Sequence, residues 1–364
     1  MEGLGLIQFG NIYRDCRVLI TGHTGFKGSW LTLWLNEIGA KVAGISLDPD
    51  TQPNHWDLLN LSINDQRLDI RDAEIVRDSV AKFQPEIVFH LAAQPLVRRA
   101  YRDPIENWST NIMGTAHVLD ACRQVKGVRA IVAITTDKVY VNREWPWGYR
   151  ENDRLGGHDP YSASKAACEL LIDSYRCAYF DHENAPLLAS ARAGNVIGGG
   201  DWAEDRLIPD LVRAIDQMES LVIRSLSATR PWQHVLECLA GYLLLGQRLL
   251  EKREEFAEAW NFGPGPEANC TVAKVLSLLQ THWPDLAWEQ TQELQPHEAN
   301  LLYLDHAKAK EKLNWNPVWS LEKAVQLTAD WYCQYRDRGT ILSGDHLATY
   351  LSDACTSGVS WIQR

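Results

Sequence analysis

A glycine-rich segment that follows a β-strand pattern constrains the fold of this chain more than any other feature. The apolar run Arg17-Val18-Leu19-Ile20-Thr21 leads through Gly22-His23-Thr24-Gly25-Phe26-Lys27-Gly28 into a stretch with helical spacing. Glycines at such a point let the backbone turn tightly and approach a pyrophosphate, which the N-terminus of the following helix attracts. The Gly-x-x-Gly-x-x-Gly spacing favours a dinucleotide-binding βαβ unit over a simple strand-to-helix turn. The candidate cofactor-binding residues in it are Gly22, Thr24, Gly25, Phe26 and Gly28.

The first half of the chain alternates short β-branched runs with amphipathic stretches, which is the pattern of βαβ units and a parallel sheet. Further strands are expected at residues 41–46, 86–91, 129–135 and 186–191. A sheet built in this way binds its ligands at the carboxyl ends of the strands. The sequence therefore predicts an α/β fold with a Rossmann-type doubly wound parallel sheet.

The second half of the chain departs from this alternation. After about residue 192, loops rich in glycine and proline become frequent. A chain of 364 residues is long enough for two lobes. We predict a Rossmann domain over residues 1–191 and a smaller α/β substrate-binding lobe over 192–364, with segments at about 220–255 returning to the first domain. The tail after about residue 340 shows no clear pattern.

Composition and charge exclude several classes of partner. The net charge of −11 argues against a nucleic-acid backbone. Apolar runs stay well short of the ~20 residues that cross a bilayer, so we expect no membrane partner. The N-terminal residues lack the pattern of a secretory signal. The eight cysteines have no Cys-x-x-Cys spacing, so we expect free thiols in a reducing cytoplasm and no metal site.

The ends of the next predicted strands supply further cofactor candidates. An acidic residue about 20 positions after the glycines commonly binds the adenine ribose. Here the second strand ends at Ser46, with Asp48 just beyond, and no arginine cluster follows that would take a 2′-phosphate, so we favour NAD over NADP. A third predicted strand ends with Leu68-Asp69-Ile70; Asp69 could reach the adenine amino group or cap the next helix. Small residues at the following strand end would let a cofactor ribose approach: Leu91, Ala92 and Ala93.

Tyr161 and Lys165 have the spacing of two residues on one face of a helix. A lysine ammonium beside a tyrosine lowers the pKa of the phenol, because it favours the charged phenolate. A phenolate can take a proton from a sugar hydroxyl while a nicotinamide removes the hydride. Tyr-x-x-x-Lys is a common pattern by itself, but behind a dinucleotide loop it indicates a catalytic pair that also contacts the cofactor.

Thr136-Asp137-Lys138 closes another predicted strand and therefore falls at the edge of the sheet where ligands bind. Its hydroxyl, carboxylic acid and amine could bind a sugar O4, protonate a leaving group and remove a carbon-bound proton. A polar turn with a solvent-exposed ion pair is the alternative.

Substrate-binding candidates lie mainly in the second half. Arg230 suits a bidentate phosphate contact, with Trp232 and His234 beside it, and Asn195 offers a neutral donor to a diphosphate. His297 could line the pocket or belong to a turn, and it has no clustered partner with metal-ligand spacing. The full candidate set is Gln94, Asn195, Arg206, Arg230, Trp232, His234 and His297.

Taken together, these motifs resemble the extended short-chain dehydrogenase/reductase family. The ordered series is Gly22/Gly25/Gly28, Asp69-Ile70, His90-Leu91-Ala92-Ala93, Asn111-x-x-Gly114-Thr115 and Tyr161-x-x-x-Lys165. Within that superfamily the segments at 21–28, 136–138 and 230–237 are similar to those of the CDP-glucose 4,6-dehydratases.

The resemblance implies a lyase that uses NAD in an internal redox cycle on CDP-glucose. Tyr161, helped by Lys165, would take the proton of the glucose 4-hydroxyl as C4 is oxidised. Water would then be lost across C5 and C6, and hydride would return to C6 to give CDP-4-keto-6-deoxy-glucose.

The same resemblance implies roles for the Thr-Asp-Lys segment. Asp137 would act as the acid, Lys138 as the C5 base, and Thr136 would lie near O4. Related dehydratases acting on dTDP-glucose carry Thr-Asp-Glu here, with the glutamate as base. Lys138 must be partly neutral to accept a proton, or it stays charged and stabilises the enolate while Asp137 moves the protons.

Other readings stay open at this point. A 4,6-dehydratase acting on UDP-N-acetylglucosamine also fits, while a 4-epimerase would leave Asp137-Lys138 unexplained and a non-enzymatic regulator would leave Tyr161 and Lys165 unexplained. The superfamily also implies a homodimer built from helices at 111–122 and 161–175. Apolar residues there could form the interface or face the sheet: Ala116, Val118, Leu119, Ala166, Leu170 and Leu171.

Overall fold

The structure is a computed structural model, and it describes residues 6–284, 286–291 and 300–363. Seven strands form its central sheet: β1 (Arg17–Thr21), β2 (Lys41–Ser46), β3 (Asn64–Arg67), β4 (Ile87–His90), β5 (Ala130–Ile134), β6 (Leu187–Ala193) and β7 (Ala259–Phe262). Their order in the sheet is β7-β6-β5-β4-β1-β2-β3, and every neighbouring pair is parallel. The predicted doubly wound Rossmann-type sheet is confirmed.

Burial explains why most of these strands were visible in the sequence. β1, β4 and β5 are nearly continuous buried apolar runs, as expected for parallel strands covered on both faces. β3 is different, because it lies at the edge of the sheet and carries the polar sequence Asn-Asp-Gln-Arg. The predicted third strand was therefore misplaced: it ends at Arg67, and Leu68-Asp69-Ile70 follows it as a loop.

Helices cover both faces of the sheet. They are α1 (Phe26–Glu37), α2 (His55–Leu59), α3 (Ala73–Phe83), α4 (Val97–Arg102), α5 (Pro104–Trp108), α6 (Gly114–Gln124), α7 (Pro160–Tyr179), α8 (Leu207–Gln217), α9 (Val235–Leu250), α10 (Val272–Gln280), α11 (Leu321–Arg338) and α12 (Ser343–Ser357). Helices α3, α6 and α7 supply the core on one face, and α1, α9 and α12 supply the core on the other. Within the described residues, no helix has the length and apolarity needed to span a membrane.

A further hydrophobic core joins α8, α10 and α11 and lies in the second half of the chain. Short strand pairs accompany it: Leu221–Ile223 with Trp288–Gln290, Thr229–Pro231 with Asn269–Thr271, and Val196–Ile197 with Gln233–His234. Single turns of 3-10 or π helix complete the chain: Phe9–Asn11, Ser109–Met113, Asp137–Val139, Glu254–Phe256, Pro266–Ala268 and Ala309–Leu313.

Three segments of the second half pack against the central sheet. Helix α9 is buried along almost its whole length in the core of the sheet, β7 extends the sheet beside β6, and α12 packs on α1. Of the stretch 220–255, α9 thus lies on the sheet, whereas Leu221–Ile223 pairs with Trp288–Gln290 away from it. The lobe boundary near residue 192 stays a prediction.

The described ends of the chain lie side by side. Ile7–Gln8 pairs antiparallel with Ile362–Gln363, and Phe9 stacks on Trp361 with ring centroids 5.0 Å apart. The indole of Trp34 in α1 donates to Gln8 Oε1 at 2.8 Å and packs edge-on against Tyr350 of α12. Both ends of the chain therefore complete the core around α1.

Candidate active site

A cavity of about 1570 Å³ opens at the carboxyl ends of the central strands. Its wall includes the glycine loop after β1, the segments after β2 to β5, the start of α7 and residues 194–232 of the second half. A pocket for one drug-sized ligand typically measures about 300–1,000 Å³. The cavity is thus large enough for two ligands bound side by side.

Two glycines of the loop, Gly22 and Gly28, are packed so closely that a side chain does not fit at either position. Gly22 has φ 77°, and a Cβ atom there would lie 2.7 Å from the backbone nitrogen of Ala92. A Cβ on Gly28 would lie 2.1 Å from the carbonyl oxygen of Gly22. Gly25 precedes the first turn of α1, whose free amide groups attract an anion. This bare cradle fits the pyrophosphate of a dinucleotide, and Thr24 and Phe26 also line the cavity beside it.

The end of β2 meets the glycine loop through a side-chain contact. Ser46 Oγ and Thr24 Oγ1 are 2.6 Å apart, and Asp48 lies beyond them, largely exposed. Sequence reasoning missed Arg67, whose guanidinium lies 3.6 Å from Asp48 and donates to Asp65 at 2.8 Å. Arg67 comes from the polar edge strand β3, and no motif connects it with Asp48. Asp48 and Asp65 thus offset the positive charge of Arg67, which lies next to the position expected for the adenosine ribose.

Asp69 lines the cavity, but its carboxylate already has a partner. It accepts hydrogen bonds from Arg71, with Nε at 2.8 Å, and this contact lowers the pKa of Asp69. The capping role considered for Asp69 belongs to Asp72, which accepts from the backbone of α3 at Glu74 and Ile75. The remaining candidates on this side also line the cavity: Ile70, Leu91, Ala92 and Ala93.

Tyr161 and Lys165 lie one turn apart on α7, and both are buried at the cavity wall. Lys165 Nζ donates to the carbonyl oxygen of Ile134, the last residue of β5, at 3.1 Å. The expected lowering of the tyrosine pKa is not seen: burial raises the pKa of Tyr161, and its hydrogen bond with Thr136 acts in the opposite direction. Burial also lowers the pKa of Lys165. The Tyr161 phenol is therefore protonated near neutral pH in this structure.

The Thr136-Asp137-Lys138 segment forms a 3-10 turn directly after β5. Thr136 Oγ1 donates to Asp137 Oδ1 at 3.0 Å and accepts from the backbone nitrogen of Lys138 at 3.4 Å. Asp137 is 2 % exposed, and its Oδ2 atom has no hydrogen-bond partner among the described residues. A buried oxygen of this kind is costly unless a ligand satisfies it. All three residues line the cavity, and Thr136 connects them to Tyr161.

The second half of the chain contributes cationic and polar groups to the opposite wall. Arg206 donates to Asp201 at 2.9 Å and interacts electrostatically with Tyr161. Arg230 is buried and donates to the carbonyl oxygen of Thr229 at 2.9 Å. Asn195 and Trp232 line the same region.

Three predicted substrate residues do not meet this group. Gln94 is buried behind the wall, where its side-chain oxygen accepts from Leu96 at 2.6 Å. His234 is fully buried at the start of α9, accepts from the backbone nitrogen of Leu236, and has its pKa held well below the usual value by burial. It acts there as a helix cap. His297 lies outside the described residues.

Sequence reasoning missed further arginines of the wall, because they are scattered along the chain without a motif. They are Arg98, Arg99, Arg213, Arg224 and Arg336. Several of them pair with acidic residues. Arg98 pairs with Asp205 at 2.9 Å and Arg99 with Glu106 at 2.8 Å. Arg213 pairs with Asp210, and Arg336 pairs with Asp216 at 2.6 Å. Among the described residues, no group of three or more His, Cys, Asp or Glu side chains could hold a metal ion.

Comparison with known proteins agrees with this geometry. The family model described as GDP-mannose 4,6 dehydratase matches residues 19–328. The chain is 49% identical over 329 residues to a CDP-glucose 4,6-dehydratase of Salmonella typhimurium, a match that covers 88% of this chain and 92% of that protein.

Solved structures with similar folds include an epimerase of Methanothermobacter thermautotrophicus and a dTDP-glucose 4,6-dehydratase of Bacillus anthracis in complex with NAD. The epimerase has a TM-score of 0.78 at 23% identity and covers 90% of this chain and 95% of its own. The dehydratase has a TM-score of 0.73 at 19% identity and covers 89% of this chain and 98% of its own. The chain therefore belongs to the family of 4,6-dehydratases that the GDP-mannose 4,6 dehydratase model describes.

Proposed function

We propose that this protein is an NAD-dependent CDP-glucose 4,6-dehydratase, a hydro-lyase that converts CDP-D-glucose into CDP-4-keto-6-deoxy-D-glucose. The observation that carries the proposal is the meeting of two chemical groups in one cavity. The Tyr161–Lys165 pair suits oxidation at C4, and Thr136 connects it to the Asp137–Lys138 pair, which suits elimination across C5 and C6. The 49% identity to the Salmonella protein supports CDP-glucose as the substrate.

The cradle formed by Gly22, Gly25 and Gly28 would hold the pyrophosphate of NAD, with Ser46, Asp48, Asp69 and Ile70 on the adenosine side. NAD supplies a hydride acceptor at C4 and a hydride donor at C6. Leu91, Ala92 and Ala93 leave room beside the backbone for a ribose. Tyr161 and Lys165 would flank the reactive end, because they lie at the inner wall of the same cavity.

Tyr161 takes the proton of the 4-hydroxyl during oxidation. Its phenol is protonated in the buried site, so charge must favour the phenolate when the ligands bind. The Thr136 hydrogen bond and the guanidinium of Arg206 both favour the ionised form. Thr136 would lie near O4, since its hydroxyl contacts Tyr161.

Asp137 and Lys138 carry out the elimination. Asp137 protonates the leaving 6-hydroxyl, and its unpartnered Oδ2 atom is a free position for that contact. Lys138 removes the C5 proton, which the 4-ketone makes acidic. A neutral amine is required for this step. If Lys138 instead stays charged, it stabilises the enolate and Asp137 moves both protons.

The substrate diphosphate would lie on the wall made by Asn195, Arg206 and Arg230, with Trp232 beside it. Arginine forms planar, bidentate contacts with phosphate oxygens, and these are stronger than neutral hydrogen bonds. The overall charge of −11 is compatible with this arrangement, because only local cations meet the diphosphate.

Mass spectrometry of the purified protein with NAD and CDP-glucose tests the proposal. Parallel reactions contain dTDP-glucose, UDP-glucose and UDP-N-acetylglucosamine. We expect the loss of one water from CDP-glucose. Water loss from another nucleotide-sugar alone would overturn the substrate, and an unchanged mass with a changed sugar configuration would establish a 4-epimerase instead.

We propose further that the protein is a homodimer that works in the cytoplasm. The segment from α4 to α7, residues 97–179, carries exposed apolar side chains, among them Ile105, Met113 and Leu170 at 75%, 51% and 63% exposure. Val118 and Leu119, considered for the interface from the sequence, are buried against the sheet instead. All eight cysteines are free thiols, which suits a reducing compartment.

A further inference from the structure

A buried carboxylate lies one turn beyond the catalytic pair. Glu169 follows Tyr161 and Lys165 on the same face of α7, and its side chain is 3% exposed. It accepts hydrogen bonds from Thr135 Oγ1, from Ser190 Oγ at 2.7 Å, and from Arg192 through Nε at 2.9 Å and Nη2 at 2.8 Å. The carboxylate is thus bound to Thr135, directly after β5, and to Ser190 and Arg192 within β6.

Arg192 extends this contact to the other side of the 3-10 turn. Its Nη1 atom donates to the hydroxyl of Tyr140 at 2.7 Å and to the carbonyl oxygen of Glu151 at 2.9 Å. The Tyr140 hydroxyl in turn donates to Asn261 in β7 at 2.7 Å. Burial would raise the pKa of Glu169, but Arg192 and the two hydroxyls offset it and lower that pKa overall.

Thr135 and Tyr140, which the Glu169–Arg192 pair contacts, lie on either side of Asp137 and Lys138 in the sequence. Thr135 directly precedes Thr136-Asp137-Lys138, and Tyr140 follows Val139. One buried ion pair therefore holds both ends of the turn, and the same helix face carries Tyr161. Neither Glu169 nor Arg192 lines the cavity, so they act through other residues.

We propose that Glu169 and Arg192 are positioning residues, which fix the Thr136-Asp137-Lys138 turn relative to Tyr161 so that oxidation at C4 and elimination across C5 and C6 act on one bound sugar. The proposal rests on the proposed dehydratase function. Its physical basis is that a displacement of about 1 Å can cost about 100-fold in rate, while Tyr161 keeps its own position on α7. Loosening the turn should thus slow elimination and leave oxidation less affected.

Two single-hydroxyl variants test this without exposing the buried ion pair. Thr135→Val and Ser190→Ala each remove one hydrogen bond to Glu169, but only Thr135 adjoins the turn. Replacing Glu169 or Arg192 itself would leave an unpaired buried charge, which is strongly destabilising. Tyr140→Phe provides a third variant, since it releases the turn from its other end.

Three readouts separate positioning from general stability: steady-state kcat and KM, the absorbance of enzyme-bound NADH during one turnover, and the thermal midpoint of each protein. We expect Thr135→Val and Tyr140→Phe to lower kcat about 10- to 100-fold with little change in KM and to accumulate NADH. Ser190→Ala should keep a kcat within about threefold of the parent and show no accumulation, with a thermal midpoint close to that of Thr135→Val.

Equal effects of Thr135→Val and Ser190→Ala, or a fall in kcat without NADH accumulation, would overturn the positioning role. The parent enzyme in the same assay distinguishes this from a failure of the proposed function. If the parent does not remove water from CDP-glucose, the proposed function fails; if it does, only the positioning role is at stake.

Discussion

Gly194 lies against the carboxylate of Asp137: a Cβ atom on Gly194 would lie 3.0 Å from Asp137 Oδ2 and 2.5 Å from Cγ of Pro231. The ring of Pro231 cannot move aside as a flexible side chain would. We therefore expect Gly194→Ala to displace the Asp137 carboxylate and to lower kcat by about 10- to 100-fold. Overpacking at this point should also cost about 1–3 kcal/mol of unfolding free energy.

Steady-state kinetics and chemical denaturation of Gly194→Ala measure the two effects. A variant with the parent's kcat would show that Asp137 does not depend on this contact, and it would weaken the assignment of Asp137 as the acid.

Substitutions of Lys138 distinguish its role as the C5 base from a role in stabilising the enolate electrostatically. Arginine keeps the positive charge but cannot give up its proton in a protein, whereas alanine removes both properties. If Lys138 is the C5 base, Lys138→Arg and Lys138→Ala should both lower the rate of water loss by about 10²- to 10⁴-fold. Exchange of the C5 hydrogen with deuterated solvent should fall in parallel, because this exchange reports proton removal directly. Near-parent exchange in Lys138→Arg would assign the electrostatic role to Lys138, and near-parent exchange in Lys138→Ala would exclude both.

Glu237 should make the stability of the protein depend on pH. Its buried carboxylate accepts from the backbone nitrogens of Val318 and Trp319 at 3.0 and 2.7 Å and from Tyr350 at 2.9 Å. Burial raises the pKa of Glu237 from 4.5 to about 7. Because the folded state then favours the protonated form, the stabilising contribution is full below about pH 4.5 and is lost as the pH rises through about 7.

The variant Glu237→Gln isolates this effect, since the buried histidines that also titrate are common to both proteins. Relative to Glu237→Gln, the parent should lose about 3 kcal/mol of unfolding free energy between pH 4.5 and pH 8. Denaturant unfolding at a series of pH values measures the difference. A difference in unfolding free energy that stays constant with pH would reflect lost hydrogen bonds only, and it would contradict the raised pKa of Glu237.

Substitution of Ile105 tests the proposed homodimer. It is 75% exposed on α5, which contacts the Ser109–Met113 turn and α7, the elements that carry the exposed residues Met113 and Leu170. Met218 is 93% exposed after α8 in another part of the chain. A glutamate at a dimer interface would bury a charge without a partner, so Ile105→Glu should give a monomer at micromolar concentration. Met218→Glu is the matched control and should sediment like the parent. A monomeric parent, or a dimeric Ile105→Glu, would remove this interface.

The sequence showed most of the sheet because its inner strands are buried on both faces. β1 and β2 were predicted with the bounds that the structure has, and β4 and β5 were each one residue too long at both ends. Hydrophobic patterning failed at the two edges. β3 is polar because it is exposed, and β7 is only four residues long and comes from the second half of the chain.

The residues of the candidate site also divide into those that sequence motifs predicted and those that they did not. Residues in ordered motifs meet in the cavity: Gly22 and Asp137 follow strand ends, which a parallel sheet brings together, and Tyr161 lies at the start of α7. His234 was chosen because it stands beside Arg230 and Trp232, but it caps α9, and its ring packs against tryptophans of the core. Arg67 could not be found, because its contact with Asp48 is made by pairing of β2 with β3.

The pairing of Ile7–Gln8 with Ile362–Gln363 has a consequence for synthesis on the ribosome. Trp34 and Phe9 are made long before their packing partners Tyr350 and Trp361. Chains fold from the N-terminus as they are synthesised. One face of α1 therefore stays uncovered until residues 350–361 have been made, and a shorter nascent chain exposes two large aromatic side chains that this later segment shields.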